Sequence, residues 1–435
     1  MIPAERAATI PPTPQRGKAA PDIMSSDAAS PLSAPARPAA AGFIVVTVAI
    51  DAMGIGLILP VMPELLKAVG GLNVSEAALW GGVLAFSYAF MQFLCSPLLG
   101  ALSDRHGRRP VLLLSLGALC LDYLVLSVAP SLWMLIVARI VAGAAGASFA
   151  TANAYLADVS PPERRAANFG LVGAGFGVGF VLGPALGGLL GELGPRAPFV
   201  AAAALTGANM LFGWLVLPES LPPERRRPVD WRKADPLSAL RAVARLPALG
   251  PLLWGLGTYA LAHSVYPAVW SFYAAAAYGW SPAMIGASLA AFGVAMAFGQ
   301  GLLIRVLPRA LGARGAIGLG LMTNIVVMLA LAWAPGGWVV YAGLPLLAFG
   351  IITGPAINGE MSKRVGEEAQ GRLQGVVASI NGVTAILAPL LFTGIFRAAT
   401  AEGAPVWMPG APFLASALLV ALAGVPLARG LQSKR

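Results

Sequence analysis

Charge is scarce in this 435-residue chain: Asp, Glu, Lys and Arg together make up 11 %, against about 25 % in soluble globular domains. An ordinary water-facing surface cannot be built from so few charges. Cysteine and histidine are scarcer still, two of each, which removes disulfide scaffolds and Cys/His-rich metal sites from consideration. Cys95 and Cys120 both fall in apolar runs, where a free thiol packs as a small hydrophobe. There is no phosphate-binding loop after a strand pattern and no paired nucleophile and base, so an enzyme is not expected and ATP is not the energy source.

What the chain has instead is apolar length. Residues of the AVILMFWYC set make up 57 % and the mean hydropathy is +0.76. Twelve stretches long enough to cross a bilayer lie near 43–66, 78–102, 111–129, 132–155, 168–191, 198–217, 250–274, 283–304, 315–334, 338–359, 373–396 and 411–428. An all-α membrane protein of twelve transmembrane helices is therefore expected, since only a helix satisfies its own backbone in hydrocarbon. The first run is full length and lacks a convincing cleavage site, so it reads as a retained helix.

The basic residues give the orientation. Counted along these spans, 25 of the 29 Lys and Arg fall in the amino-terminal tail, the even-numbered loops and the carboxyl tail. Only Lys67, Arg196 and Arg397 lie on the other side, and Arg139 lies within a span. The positive-inside rule puts both termini in the cytoplasm. The net charge of +10 then reflects topology and contact with anionic lipid headgroups rather than nucleic-acid binding.

Residues 1–41 are rich in Pro, Ala and Ser and read as a disordered cytoplasmic tail. A six-helix half follows at 42–217, a central cytoplasmic loop at 218–249, and a second six-helix half with a short tail at 250–435. The loop is patterned as an amphipathic surface helix near Leu237, Leu240 and Val243, and Arg225, Arg226 and Arg227 read as a solvated linker against headgroups. An offset of 205 residues superimposes Gly107 on Gly312, Arg109 on Arg314, Trp133 on Trp338, Glu163 on Glu368, Gly170 on Gly375, Gly177 on Gly382 and Pro184 on Pro389. The halves are thus parallel repeats, the arrangement that places a midplane cavity between two rocking bodies.

Three firmly ionisable residues lie deep in predicted spans: Asp51, Asp122 and Arg139. Each costs several kcal/mol there unless paired, neutralised or facing water, so each is a functional candidate. A buried structural pair of Asp122 with Arg139 is the plainer alternative. Asp51, in a partly dry cavity, would choose between a proton and a cationic partner, which is the minimal chemistry of a proton antiporter. Gln92, Gln300, Asn324 and His263 are further intramembrane polar groups that suit either a substrate or helix packing.

Between spans 2 and 3 the string GALSDRHGRRPVLL, Gly100 to Leu113, confines its charges to a hairpin of four to six residues. Gly100 is expected to end one helix and let the next approach, and Asp104 to cap the following helix and pair with arginine. The string resembles the loop signature of the major facilitator superfamily at Gly100, Asp104, Arg105, Gly107, Arg108 and Arg109. In span 5, GLVGAGFGVGFVLGPALGGLLG resembles that superfamily's antiporter motif at Gly179, Gly183, Pro184, Gly187 and Gly188. Beyond residue 42 almost the whole chain resembles tetracycline efflux proteins, through DAMGIGLILPVMPELL from Asp51, RIVAGAAGA from Arg139, GASLAAFG from Gly286 and LQGVVASINGVTAILAPLLFTGIF from Leu373.

The resemblance implies a monomeric drug:proton antiporter of the bacterial inner membrane, with no cofactor of its own and the proton gradient as energy source. Its cargo would be a tetracycline, with any divalent metal arriving as part of the drug chelate. Asp51, Asp122 and Arg139 would couple proton to drug, Gln92 and Gln300 would meet substrate, and Asp104 to Arg109 would form a cytoplasmic gate. The family's histidine in span 8 and acid in span 9 are here Met296 and Asn324, and His263 is a candidate substitute. An exporter of another amphiphile, an uncoupled facilitator and a non-transporting receptor are the competing readings.

Overall fold

The computed structural model describes residues 38–228 and 249–432, and every regular element among them is helical. The amino-terminal tail before residue 38 and the amphipathic segment near Leu237 lie outside the described residues. Among the described residues, ten helices, two of them interrupted, are long and apolar enough to cross a membrane. One of them, Pro282–Ala332, is 51 residues long but turns at Gly312, whose φ of 68° and ψ of 170° are not helical. It therefore makes two passages. The expected seventh span is split into Gly250–His263 and Val265–Tyr278, each too short to cross alone. The ten helices, one of them double, and this split pair accommodate the twelve expected passages.

The elements in chain order are α1 (Pro38–Ile58), α2 (Met62–Gly70), α3 (Val74–His106), α4 (Arg108–Val128), α5 (Leu132–Ala145), α6 (Ser148–Val159), α7 (Pro162–Gly191) and α8 (Ala197–Val216). The second half contains α9 (Gly250–His263), α10 (Val265–Tyr278), α11 (Pro282–Phe298), α12 (Ile304–Ala332), α13 (Trp338–Gly350), α14 (Thr353–Ser362), α15 (Glu367–Thr400) and α16 (Ala411–Gln432). The chain is already helical at Pro38, so the first span begins ahead of the expected boundary at 42.

Every third passage is broken. The interruptions fall at 59–61 between α1 and α2, at Gly146–Ala147 between α5 and α6, at Ser264 between α9 and α10, and at Ile351–Ile352 between α13 and α14. The 205-residue offset carries Leu59 to Ser264 and Gly146–Ala147 to Ile351–Ile352, so the breaks repeat with the sequence. Proline explains three of them: Pro63, Pro267 and Pro355 have no N–H to offer the carbonyls of Leu59, His263 and Ile351.

Other helices take up carbonyls at the breaks. Ser271 Oγ donates to Leu59 O at 2.7 Å, Gln92 Nε2 to Gly146 O at 3.0 Å and Tyr259 Oη to Gly350 O at 3.1 Å. Such backbone is tolerated at membrane depth only where protein or water satisfies it.

The two turns at Gly107 and Gly312 also correspond. Gly107 has φ 107° and ψ 160°, and both glycines occupy a region essentially closed to residues with a Cβ. At Gly107 the loop between spans 2 and 3 contracts to a single residue, because α3 ends at His106 and α4 starts at Arg108. Gly100 consequently lies inside α3 rather than ending it, and a methyl group there would meet nothing within 4 Å. The close approach expected of it does not occur.

Candidate functional site

The first half holds a buried polar cluster spread over four passages. Arg139 on α5 and Asp122 on α4 form a side-on ion pair, with Nε to Oδ1 at 3.0 Å and Nη2 against Oδ2. Both are buried, at 8 % and 2 % exposure. The guanidinium also lies 5.5 Å from the ring centre of Tyr88 and 6.0 Å from that of Tyr123. Aromatic faces and a bidentate carboxylate together make burial of this cation tolerable.

Asp51 on α1 is 8 % exposed and stands outside that pair. Ser148, the first residue after the break between α5 and α6, is a close polar neighbour of its carboxyl group. Its Oδ1 has no partner among the described residues. Tyr88 lies within electrostatic range of both Asp51 and Arg139 and is 3.3 Å from Gln92 Nε2. Asp51, Asp122, Arg139 and Gln92 thus come together. Tyr88, Tyr123 and Ser148 complete the cluster; Tyr123 and Ser148 were not singled out from the sequence, where each is one moderately polar letter in an apolar run.

The glycines of α7 explain how the helix carrying Asp51 is held. A Cβ on Gly179, Gly183 or Gly187 would collide with the carbonyl of Ala49, Met53 or Leu57. These are successive steps of four along both helices, so α1 and α7 touch backbone to backbone. Gly188 faces the other half instead, against Pro282 O, Ala283 and Gly286 of α11. Pro184 is buried inside α7 and lies against Gly56.

Polar residues of the second half occupy other sites. His263 ends α9 at a break, with its ring 5.8 Å from Tyr259 and 5.3 Å from Tyr266. Asn324 is fully buried, donates to Gly320 O at 2.8 Å and neighbours Tyr259 at the break after Gly350. Gln300 is exposed in a single π turn, Gly299–Leu303.

A cavity of ≈ 260 Å3 is walled by Phe176 and Phe180 of α7 and by His263, Tyr266, Trp270, Phe292, Met296 and Leu344 of the second half, among others. Asn324 and Gln300 are not among its lining residues. Met296 is.

The charged hairpin forms a tight ionic knot. Arg108 Nη1 meets Asp104 Oδ1 at 2.5 Å, and Arg108 Nε meets Asp158 Oδ2 at 3.1 Å. Asp104 does not cap α4, because it still belongs to the last turn of α3. Glu219, just beyond α8, does so instead, accepting from Arg108 N at 2.8 Å and Arg109 N at 3.2 Å. An acid at a helix amino terminus satisfies orphan donors and faces the favourable end of the dipole. Arg109 Nη2 donates to Trp214 O at 2.5 Å, while Arg105 is exposed. The linker also docks here: Arg227 N donates to the Asp104 carbonyl at 3.1 Å.

Among the described residues, hydrogen bonds crossing between the halves lie at the opposite end. Ser75 Oγ donates to Arg397 O, Thr400 Oγ1 to Ser75 Oγ, Ser271 Oγ to Leu59 O, and Ala283 N to Glu192 Oε1. The last bond, with the Ser281 hydroxyl, holds the Glu192 carboxyl below its ordinary pKa. The halves are therefore tied together at the end away from the arginine-bearing turns.

Comparison with known proteins agrees with this architecture. The Major Facilitator Superfamily profile matches residues 44–389. The tetracycline resistance protein, class C, of Escherichia coli is 42 % identical over 366 residues, 84 % of this chain and 92 % of that protein. The class G protein of Vibrio anguillarum is 38 % identical over 367 residues, again 84 % and 92 %. A bacterial homologue of the human lysosomal transporter Spinster, in an inward-facing and unoccupied conformation, superposes with a TM-score of 0.75 at 17 % identity, covering 91 % of this chain and 97 % of that one. The human organic anion transporter MFSD10 (TETRAN) gives 0.65 at 23 % identity, covering 92 % and 100 %. With ten membrane-length helices among the described residues, repeat-related breaks and a family match over most of its length, the chain belongs to the major facilitator superfamily of membrane transporters.

Proposed function

We propose that this transporter exports tetracycline-like drugs across a bacterial plasma membrane in exchange for protons, acting as a monomer with both termini in the cytoplasm. The observation that carries this reading is the separation of Asp51 from the Asp122–Arg139 pair: one carboxyl group is left to exchange a proton, beside a helix break, while the other is neutralised. The names of the relatives supply the cargo, and the 25-to-3 division of basic residues supports the orientation. In that orientation the ties at Ser75, Leu59 and Glu192 close the external side. Any divalent metal travels within the drug chelate.

Gln92 Nε2 satisfies the Gly146 carbonyl at the α5–α6 break, so a cargo that draws Gln92 away would disturb that break. The test is tetracycline-driven proton flux in everted vesicles from a host lacking other pumps. Drug uptake that ignores a collapsed proton gradient would mark an uncoupled facilitator.

The Asp104–Arg109 turn is assigned as the cytoplasmic gate. Asp104→Asn, which weakens the Arg108 contact while leaving Glu219 to cap α4, is expected to slow turnover severalfold with tetracycline Kd unchanged. A Kd that deteriorates in proportion to the rate would count against the gate.

A second reading, export of a different amphiphile, is favoured by Met296 and Asn324. These two differ in surroundings, Met296 lining the cavity and Asn324 donating within α12 to Gly320 O. Met296→His and Asn324→Asp are consequently expected to act additively, within about 0.5 kcal/mol, rather than as one restored titratable pair. The pair is expected to raise tetracycline-driven proton flux, with chromatographic monodispersity controlling for misfolding. A gain seen only in the double variant would overturn the separation.

A further inference from the structure

Lys67, Arg196 and Arg397 are the basic residues at the end where the halves are tied, and two of them are satisfied. Lys67 Nζ meets Glu64 Oε1 at 2.8 Å, and Arg196 donates to the carbonyls of Ser127 at 3.3 Å and Ala129 at 3.0 Å. Arg397, in the last turn of α15, is exposed, and its guanidinium has no hydrogen bond or ion pair among the described residues.

A groove of ≈ 230 Å3 opens beside it, walled by Arg397, Leu72 and one face of α3: Glu76, Leu79, Trp80 and Val83. Glu76 is exposed as well and forms no ion pair with Arg397. Its Oε2 accepts from Asn73 N at 3.2 Å in the capping box that opens α3, which fixes the carboxylate and leaves Oε1 uncommitted among the described residues. Two opposite charges therefore share one groove, one from each half, without neutralising each other.

The rest of the groove is apolar. Trp80 meets Trp133 edge-on, with ring centres 6.1 Å apart, and Trp133 is 71 % exposed. Tryptophans at the ends of spanning helices mark the headgroup level. Further along the same face of α3 come Phe86 and Phe90, whose rings stack 5.5 Å apart. From Glu76 to Phe86 the helix rises about 15 Å, which is one leaflet's share of a hydrocarbon core about 30 Å thick.

We propose that this groove binds a phospholipid of the ethanolamine type, with a phosphate and a primary ammonium in one headgroup. Arg397 holds the phosphate through its planar fork. Glu76 Oε1 accepts from the ammonium, and an acyl chain lies along Leu79, Val83 and Phe86. Because α3 and α15 belong to different halves, the bound lipid bridges them beside the bonds of Ser75 with Arg397 O and Thr400. The site is independent of what the transporter exports and of how export is coupled.

Native mass spectrometry of the purified full-length chain, titrated with palmitoyl-oleoyl phosphatidylethanolamine, reads the Kd of the first bound lipid. The parent is expected to prefer this lipid by about tenfold over phosphatidylglycerol, which offers a phosphate but no ammonium to the carboxylate. Glu76→Gln keeps the capping box, where Gln serves as well as Glu, and is expected to erase that preference. Arg397→Leu is expected to weaken phosphatidylethanolamine binding by about tenfold, and Arg397→Lys to recover part of the loss as a point charge without the fork. Chromatographic monodispersity and an unchanged Tm exclude misfolding in each variant. Glycerophosphoethanolamine, the headgroup without chains, is expected to compete only at concentrations roughly a hundredfold higher, because buried methylenes contribute much of the affinity. Competition on equal terms would assign the groove to a soluble zwitterion and overturn the lipid. A Kd indifferent to Arg397→Leu, or a preference that survives Glu76→Gln, would overturn the site.

Discussion

Asp51→Asn is expected to reduce tetracycline-driven proton exchange in everted vesicles to the level of vesicles without the transporter, while the protein inserts and purifies as the parent does. The amide matches the carboxyl in volume, and Ser148 can still donate to its oxygen. No ion pair is broken, because Asp51 has none among the described residues. What disappears is a group able to take up and release a proton. Fluorescence quenching by a pH-gradient dye reads the result directly, and persistent drug-dependent quenching would end the assignment.

Arg139→Ala is expected to have the opposite character and to damage folding before transport. It strands Asp122, 2 % exposed, without its counter-charge, and breaking a buried pair from one side costs about 3–5 kcal/mol. Fluorescence-detected size exclusion should show loss of the monodisperse peak and a lower Tm. Adding Asp122→Asn removes the stranded charge and is expected to restore most of the peak. A single variant as stable as the parent would show that the pair contributes little, and the restored double variant then reports whether the pair also serves transport.

The division between these two substitutions marks how far the sequence could be read. A charge inside an apolar run stands out because hydrocarbon penalises it, so Asp51, Asp122 and Arg139 were legible, as was the glycine stripe of α7. The pairing of Asp122 with Arg139 stood in the sequence as the plainer of two readings, and the crossing of α4 with α5 decides for it. The helix breaks went unread, although Pro63, Pro267 and Pro355 mark three of them. Helices that are apolar on every face carry no periodic signal to lose at an interruption. The groups that satisfy these breaks come from 54, 91 and 212 residues away.

The capping residue of α4 was missed for a related reason. Local spacing points to Asp104, four residues ahead of Arg108, but the cap comes from Glu219, 111 residues away in sequence from the N–H it accepts. The hairpin between spans 2 and 3 was expected to run four to six residues rather than one. Gly107 and Gly312 needed their backbone angles before the loops could be seen to vanish.

The contact of α7 with its neighbours works like a plain bearing. Interlocked side chains behave as gear teeth, and moving them requires every tooth to disengage. On one face of α7, Gly179, Gly183 and Gly187 seat it against the backbone of α1; on another, Gly188 meets Pro282, Ala283 and Gly286 across the gap between halves. The first seating is long and couples α1, with Asp51, to any tilt of α7. The second runs from Gly191 against Pro282 to Val181 against Gly293, and glycine at Gly188, Gly286 and Gly293 keeps it nearly toothless, so the halves can roll over it with little repacking. Shaft and journal are thus cut from one helix, and the proton-carrying arm is mounted on the shaft.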